Sequence, residues 1–409
     1  MKTLAVTLLI STAATATAAP AFAEEEAGAR VELMPSTAYP EPQTRGLRHG
    51  SLWSTFHGLQ WPYYPKTGIG VAGYAWVDSG YETIERGNET QQDIEYWLQQ
   101  GRVLVRVTPT YAKDDFFVQG QAELVANKDQ SLRQPDVADT DDLWIKIGRW
   151  NKWDVQLGRY EGWEVYHLGM GLDLNTLERQ GASDEAYGVP AIYGVTYAFY
   201  RPASVGQAAL HLYPTETLRF ELGTQVGNEF GSNTLATRPV AVVDLGWLKL
   251  KAGAEYKVLT DQKQDAMGET TSRGAGGAVQ VVLPPVELGV NAAYGLVDRY
   301  AQDGTYDAKG SNTTYSVGGF ANARVVGDVM VGAGVNHTYL EDMHLDPMLG
   351  RVQMFKHLQT FGAVQYVLMD RLYVKAVVAY ARADLAPNFG APIFSNDMWS
   401  GRVRVMYMF

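Results

Sequence analysis

Trp399-Ser-Gly-Arg-Val-Arg-Val-Met-Tyr-Met-Phe409 is the stretch that decides the fold. Every second residue from Trp399 is apolar, aromatic or Gly: Trp399, Gly401, Val403, Val405, Tyr407 and Phe409. Arg402 and Arg404 stand between them. A period of two places the two sets on opposite faces of a β-strand. One face suits an apolar surrounding, and the other carries two cations.

The opposite end reads as an address. Met1-Lys2 supplies a positive start, residues 4–10 are apolar, and Ala21-Phe22-Ala23 fits a small-x-small cleavage pattern before Glu24-Glu25-Glu26. The apolar run is too short to span a bilayer, so residues 1–23 are expected to be a secretory signal peptide. The chain has 409 residues and no Cys, which excludes a lipid-modified Cys and a disulfide framework. No later segment has the roughly 20 continuous apolar residues of a membrane helix. A formal charge of -11, which becomes -12 once Lys2 is lost, and the lack of a basic tract argue against nucleic acid as a partner. Abundant Gly (42) and Tyr (24) suit close-packed strands with interfacial aromatics.

Between the ends, short turns alternate with long polar connections. Strands are expected over 69–78, 102–111, 116–126, 141–149, 153–160, 204–213, 218–226, 239–245, 248–259, 275–283, 286–296, 315–326, 329–340, 358–368, 372–383 and 399–409. Tight links such as Gly246-Trp247, Pro284-Pro285 and Gly327-Asp328 carry turn-forming residues. The long connections cover 79–101, 127–140, 161–191, 227–236, 260–274, 298–314, 341–357 and 384–398. This rhythm describes an all-β, antiparallel transmembrane barrel of sixteen strands over residues 68–409. Residues 192–200 read as the upper part of the sixth strand, interrupted near Arg201-Pro202 because Pro cannot donate to a ladder. If they form a separate strand, residues 50–60 would have to supply another, giving eighteen. Residues 24–67, rich in Pro and Gly before Trp61-Pro-Tyr-Tyr-Pro65, read as a periplasmic or intraluminal extension.

This layout resembles the sixteen-stranded porin superfamily of Gram-negative outer membranes, without the signature of one subfamily. The resemblance implies an integral outer-membrane location, surrounding lipid and lipopolysaccharide, a homotrimer, and barrel assembly machinery that reads the terminal aromatic Phe409. It also implies a third external loop folded into the lumen. The corresponding segment, 161–191, is the longest connection and carries Glu161, Glu164, Asp173, Glu178, Asp184 and Glu185 against a single Arg179.

Parity assigns the faces independently of the family. Val103, Val105 and Val107 point to lipid, so Arg102 and Arg106 point inward. Leu143, Ile145 and Ile147 point to lipid, so Lys146 points inward. Lys249 and Lys251 alternate with Leu248 and Leu250, with Lys257 following on the same face. Closure makes the last, first and second strands neighbours, so Arg102, Arg106, Arg402 and Arg404 share one wall. A basic wall facing an acidic loop would set a transverse field that selects ions by charge. Inward cations can instead pair with nearby carboxylates, and an acidic loop can be a solvated one. Tyr74 and Trp76 face inward and could stack solutes. Trp144, Trp150, Trp153, Tyr160 and Tyr407 are expected in the interfacial girdles.

Enzyme readings are weak: there is no HExxH, GxSxG or Gly-rich phosphate loop. No cofactor and no metal site is expected; His344 with Glu341, Asp342 and Asp346 reads as an ordinary acidic loop. The expected function is passive diffusion of small hydrophilic solutes or ions through a charged constriction. The alternatives are the barrel of an envelope polysaccharide export machine and a closed structural barrel.

Overall fold

The computed structural model describes residues 67–86, 93–129, 137–160, 162, 205–229, 232–260, 267–301, 310–341, 352–369, 372–387 and 394–409. The strands in chain order are β1 (Gly68–Arg86), β2 (Ile94–Lys113), β3 (Phe116–Asp129), β4 (Val137–Arg149), β5 (Trp153–Arg159), β6 (Val205–Leu212), β7 (Leu218–Glu229) and β8 (Ser232–Asp244), followed by β9 (Leu248–Thr260), β10 (Met267–Leu283), β11 (Val286–Ala301), β12 (Gly310–Val326), β13 (Val329–Glu341), β14 (Val352–Met369), β15 (Leu372–Pro387) and β16 (Phe394–Met408). Each pairs antiparallel with its sequence neighbours, and β1 pairs with β16, so the sheet closes into a barrel. The described strands close at sixteen; residues 50–60 and 192–200, on which the count of eighteen turned, lie outside the described residues.

Alternation sorts the side chains as their parity dictates. Val103, Leu143, Ile145, Ile147, Val403 and Val405 are exposed on the outside, while Leu104, Arg106, Lys146 and Arg402 are buried on the inside. An outer apolar surface on a closed barrel faces lipid, where every backbone N–H and C=O must find a partner within the sheet. Aromatic residues border it. Tyr81 packs on Trp97 and Tyr380 on Trp399 toward the loop end, and Tyr407 stacks near Phe409 at the turn end. Trp399 and Tyr407 are separated along β16 by an extended span of about 27 Å before tilt, close to the height of an apolar band.

Two expectations need correction. The strands run well past their predicted ends: β1 continues to Arg86 and β2 begins at Ile94, so most of the connection expected over 79–101 is paired sheet. The same holds for 227–236, where β7 and β8 stay paired up to Glu229 and Ser232. Toward the loop end the outer face of β1 turns polar, with Ser79 and Glu85 exposed, so the apolar alternation stops although the ladder continues. Trp144, Trp150 and Tyr160 are not girdle residues. They are buried, with Trp150 stacked on Phe117 at a centroid distance of 3.7 Å and Trp144 packed with Tyr160. Trp144 lies between the outward Leu143 and Ile145, and parity overrides the aromatic preference for an interface. Trp153 and Tyr407 are exposed on the outside, as expected.

The turns are tied to each other at the rim. Asp115, between β2 and β3, accepts from Lys152 Nζ at 2.8 Å, and its carbonyl accepts from the N–H of Trp150. The Lys152 hydrogen bond, with Arg149 nearby, holds the Asp115 carboxyl below its usual range. A depressed carboxyl contributes stability above its unfolded pKa and loses it as pH falls through the folded value. Pro239 is accommodated within β8 where the ladder to β9 skips from Thr237–Tyr256 to Val240–Gly253.

The closing seam ends at Gly73 and Phe409, which exchange both backbone hydrogen bonds at 2.8 and 3.0 Å. A Cβ on Gly73 would lie 2.2 Å from the Leu104 carbonyl oxygen and 2.7 Å from Cζ of Phe409. Gly73→Val is therefore expected to displace the terminal ring and reduce the yield of heat-modifiable barrel sharply; unchanged yield would show that the seam tolerates the side chain. The cysteine-free chain also allows a direct test of orientation. Glu95→Cys, near the loop end of β2, should react with a membrane-impermeant thiol reagent on intact cells, and Asp328→Cys, in the turn after β12, only after lysis. The reverse pattern would invert the barrel.

Candidate functional site in the barrel lumen

The inner surface is where chemistry can vary, since lipid constrains the outer one. Across the seam, β1 and β16 oppose Asp78 to Arg404 and Glu82 to Ser400. Arg404 grips Asp78 with a fork, Nε to Oδ1 at 2.5 Å and Nη2 to Oδ2 at 2.6 Å. Arg402 donates through Nε to Glu82 at 3.2 Å, and Ser400 Oγ donates to the same oxygen at 3.0 Å. On the next strands Arg106 Nε donates to Glu123 at 2.5 Å, and Gln121 reaches both Glu123 and Asp142. Arg102 is half-buried, its guanidinium 5.9 Å from the Tyr74 ring centroid. All four Arg thus lie on neighbouring strands of one wall, as parity requires, and Arg106, Arg402 and Arg404 each grip a carboxylate of that wall.

Those carboxylates were missed in the sequence. Asp78 was placed at the end of the first strand and Glu82 in a loop; carrying the parity of Tyr74, Trp76 and Asp78 two turns of the pleat further would have put Glu82 on the inner face. Trp76 itself carries the Arg404 guanidinium 3.9 Å above its ring, a cation–π stack. Tyr74 is buried with Leu104, Val125, Tyr373, Met406 and Met408 in an apolar cluster at the turn end of the lumen. Lys249 pairs with Asp244 at 3.2 Å, and Lys251 is buried beside it on the same face.

A second charged row crosses β4 to β7. Lys146 Nζ lies 3.6 Å from Asp154, whose Oδ1 is 2.6 Å from His211 Nδ1; His211 Nε2 is 3.1 Å from Glu221. Tyr213 donates its hydroxyl to Asp154 at 2.9 Å. All five are buried. A carboxylate on each ring nitrogen is satisfied fully when both nitrogens carry protons. Tyr160, at the end of β5, donates its backbone N–H to Gln207. Two residues on, Gly162 is buried against the inner wall: a Cβ there would lie 2.7 Å from Arg238 Nη1 and 3.1 Å from Glu221 Oε1. Glu161, Glu164, Asp173, Glu178, Asp184 and Glu185 lie outside the described residues, as does His344. Among the described residues no group of His, Cys, Asp or Glu could hold a metal ion.

No family model matches the sequence. No curated protein matches it. Solved structures match it in fold. The chain covers 97% of the outer-membrane channel DcaP of Acinetobacter baumannii with 84% of its own length, at a TM-score of 0.56 and 12% identity. An anion-selective porin from Comamonas acidovorans matches at 0.53 and 11%, with 84% of this chain and 99% of that one covered. The trimer form of OmpT, an outer membrane protein of Vibrio cholerae, matches at 0.51 and 11%, again over 84% and 99%. The chain has the fold of the outer-membrane porins, integral barrels of the Gram-negative outer membrane.

The buried row should matter for stability more than any exposed ion pair. Asp154→Ala removes the carboxylate that His211 and Tyr213 hydrogen-bond and that Lys146 faces at 3.6 Å, and a broken buried pair costs on the order of 3 kcal/mol. The variant should unfold at clearly lower temperature in a heat-modifiability series, whereas Asp115→Ala at the exposed rim should shift it far less. Equal melting of both would show that the row is solvated.

Proposed function

We propose that this barrel is a diffusion channel for small hydrophilic solutes and ions, with charge selection at a constriction. The observation that carries the reading is the contrast between the two faces of one sheet, apolar outside and lined with ion pairs and amides inside. In this reading Arg102, Arg106, Lys146, Lys249, Lys251, Arg402 and Arg404 supply the basic side of the lumen. Glu161, Glu164, Asp173, Glu178, Asp184 and Glu185 supply the acidic side. The position of Gly162 supports an inward course for the segment that carries them, because the chain leaving β5 meets Arg238 and Glu221 on the inner wall. With Asp78, Glu82 and Glu123 beside the Arg, the wall presents oriented dipoles more than bare positive charge, which tempers selectivity without removing it. A homotrimer fits the reading, in line with the trimer form of the Vibrio cholerae protein.

Reversal potential across a salt gradient in a planar bilayer tests this. Arg102→Gln with Arg106→Gln exposes Glu123 and should raise cation preference. Glu164→Gln, Asp173→Asn and Glu178→Gln together should shift it the other way. Both shifts should shrink with salt, as the Debye length falls from about 10 Å at 0.1 M to about 3 Å at 1 M. A conducting wild type whose reversal potential neither set of variants moves would remove these residues from the constriction. A barrel that is silent in the bilayer would remove the diffusion reading itself.

A further inference from the structure

The inner face turns apolar where the strands meet their short turns. Phe117, Trp150, Val282, Met330, Tyr373 and Met408 are all buried, and each lies within two residues of that end of its strand. They come from β3, β4, β10, β13, β15 and β16, so the apolar ring is spread around the barrel rather than confined to one wall. The outer face of the same sheet shows what an uncovered side chain looks like. Met408 is 0% exposed and its outward neighbour Tyr407 46%; Leu104 is 1% exposed and Val103 43%. Side chains standing on an open sheet bury their flanks and keep their tips accessible. Sixteen strands about 4.8 Å apart and tilted about 40° enclose a space about 30 Å across between backbones, too wide for the side chains of the wall to fill. More chain than the wall itself therefore covers the ring.

Three features point to residues 50–66 as that cover. They join the barrel at the level of the ring: Thr67, next in the chain, accepts the Ala112 N–H on Oγ1 at 3.0 Å, and Ala112 packs against Phe117 and Trp150. Their chemistry matches it, with Leu52, Trp53, Phe56, Leu59, Trp61 and Tyr64 and no carboxylate in the stretch. Their reach suffices, since the extended segment spans about 55 Å, more than the width of the lumen. Residues 161–191 suit the ring poorly. That segment leaves β5 at the opposite end of the strand, and setting Glu161, Glu164 or Asp173 against an apolar surface would cost their hydration.

We infer that residues 50–66 dock on this apolar ring inside the turn end of the lumen, so that the chain's own N-terminal extension sets the width of that mouth. The docking goes beyond the diffusion reading and does not depend on it. The chain has no Cys, so Val282→Cys and Met330→Cys each report on the cover in an otherwise native barrel. In the folded, detergent-solubilised protein both thiols should resist a soluble maleimide. When Trp53→Ser, Phe56→Ser, Trp61→Ser and Tyr64→Ser are combined with either, the thiol should react at least about tenfold faster, equivalent to about 1.4 kcal/mol of lost cover. Should the combined variant fail to fold, benzoylphenylalanine in place of Trp61 in the otherwise native chain gives a second reading. On irradiation it should join peptides from the turn ends of β3, β10, β13 or β15. Thiols that react freely in the native barrel would show the ring uncovered and overturn the docking. Thiols protected with and without the four aromatic residues, or a crosslink to residues 161–191 alone, would assign the cover to another segment and overturn it as well. Single-channel conductance separates this from the diffusion reading. Larger conductance in the Ser variant supports both; equal conductance overturns the segment's role at the mouth. A barrel silent in both forms whose thiols still change as expected upholds the docking and fails the channel.

Discussion

Closure of the sheet is the constraint on which everything else here depends. A strand edge in hydrocarbon leaves backbone groups without partners, each at a cost of several kcal/mol. The last strand must therefore find the first, over three hundred residues away in sequence. The seam shows how the chain secures this. Along its inner face Arg404 grips Asp78, and Arg402 and Ser400 converge on Glu82. At its end Gly73 makes room for the Phe409 ring. The arginines that suggest a selectivity wall are also the groups that join the two ends of the barrel. Such residues serve the structure directly, and their carboxylate partners decide how much field remains at the inner face.

Once the barrel is closed, its two faces have separate tasks. The outer face must only be apolar, and Val, Leu and Ile fill it with aromatic borders. The inner face is free to differ from strand to strand. It does so by sector, with ion pairs from β16 round to β9 and small, amide and hydroxyl groups from β11 to β14. A charged row such as Lys146, Asp154, His211 and Glu221 holds its side chains in fixed geometry.

The sequence made the membrane-crossing part of this fold legible and little beyond it. Where lipid touches one face, period two is sharp, and Leu143, Ile145 and Ile147 locate Lys146 on the inside without any structure. Where the outer face turns polar that signal ends, as at Ser79, Thr83 and Glu85, so the sheet over 79–86 and 94–101 looked like loop. The placement of Trp144, Trp150 and Tyr160 at the interface followed aromatic preference where parity pointed inward. Partners such as Glu123 for Arg106 or Glu221 for His211 depend on register between strands, which no single strand encodes. Other inner-face neighbours are hidden for the same reason: Asn291, Ser316, Asn336 and Thr338 are unremarkable alone and meet only through two strand pairings.

The length of the strands has a consequence for how such a protein can change. A crossing needs roughly 9–11 residues, yet β2 has 20 and β14 has 18. The surplus forms a hydrogen-bonded collar above the lipid band, and the connecting segments start from its upper edge. Insertions, deletions and charge changes there alter what the cell displays without shifting the register within the bilayer. The collar thus insulates the register within the lipid band from change in the segments above it.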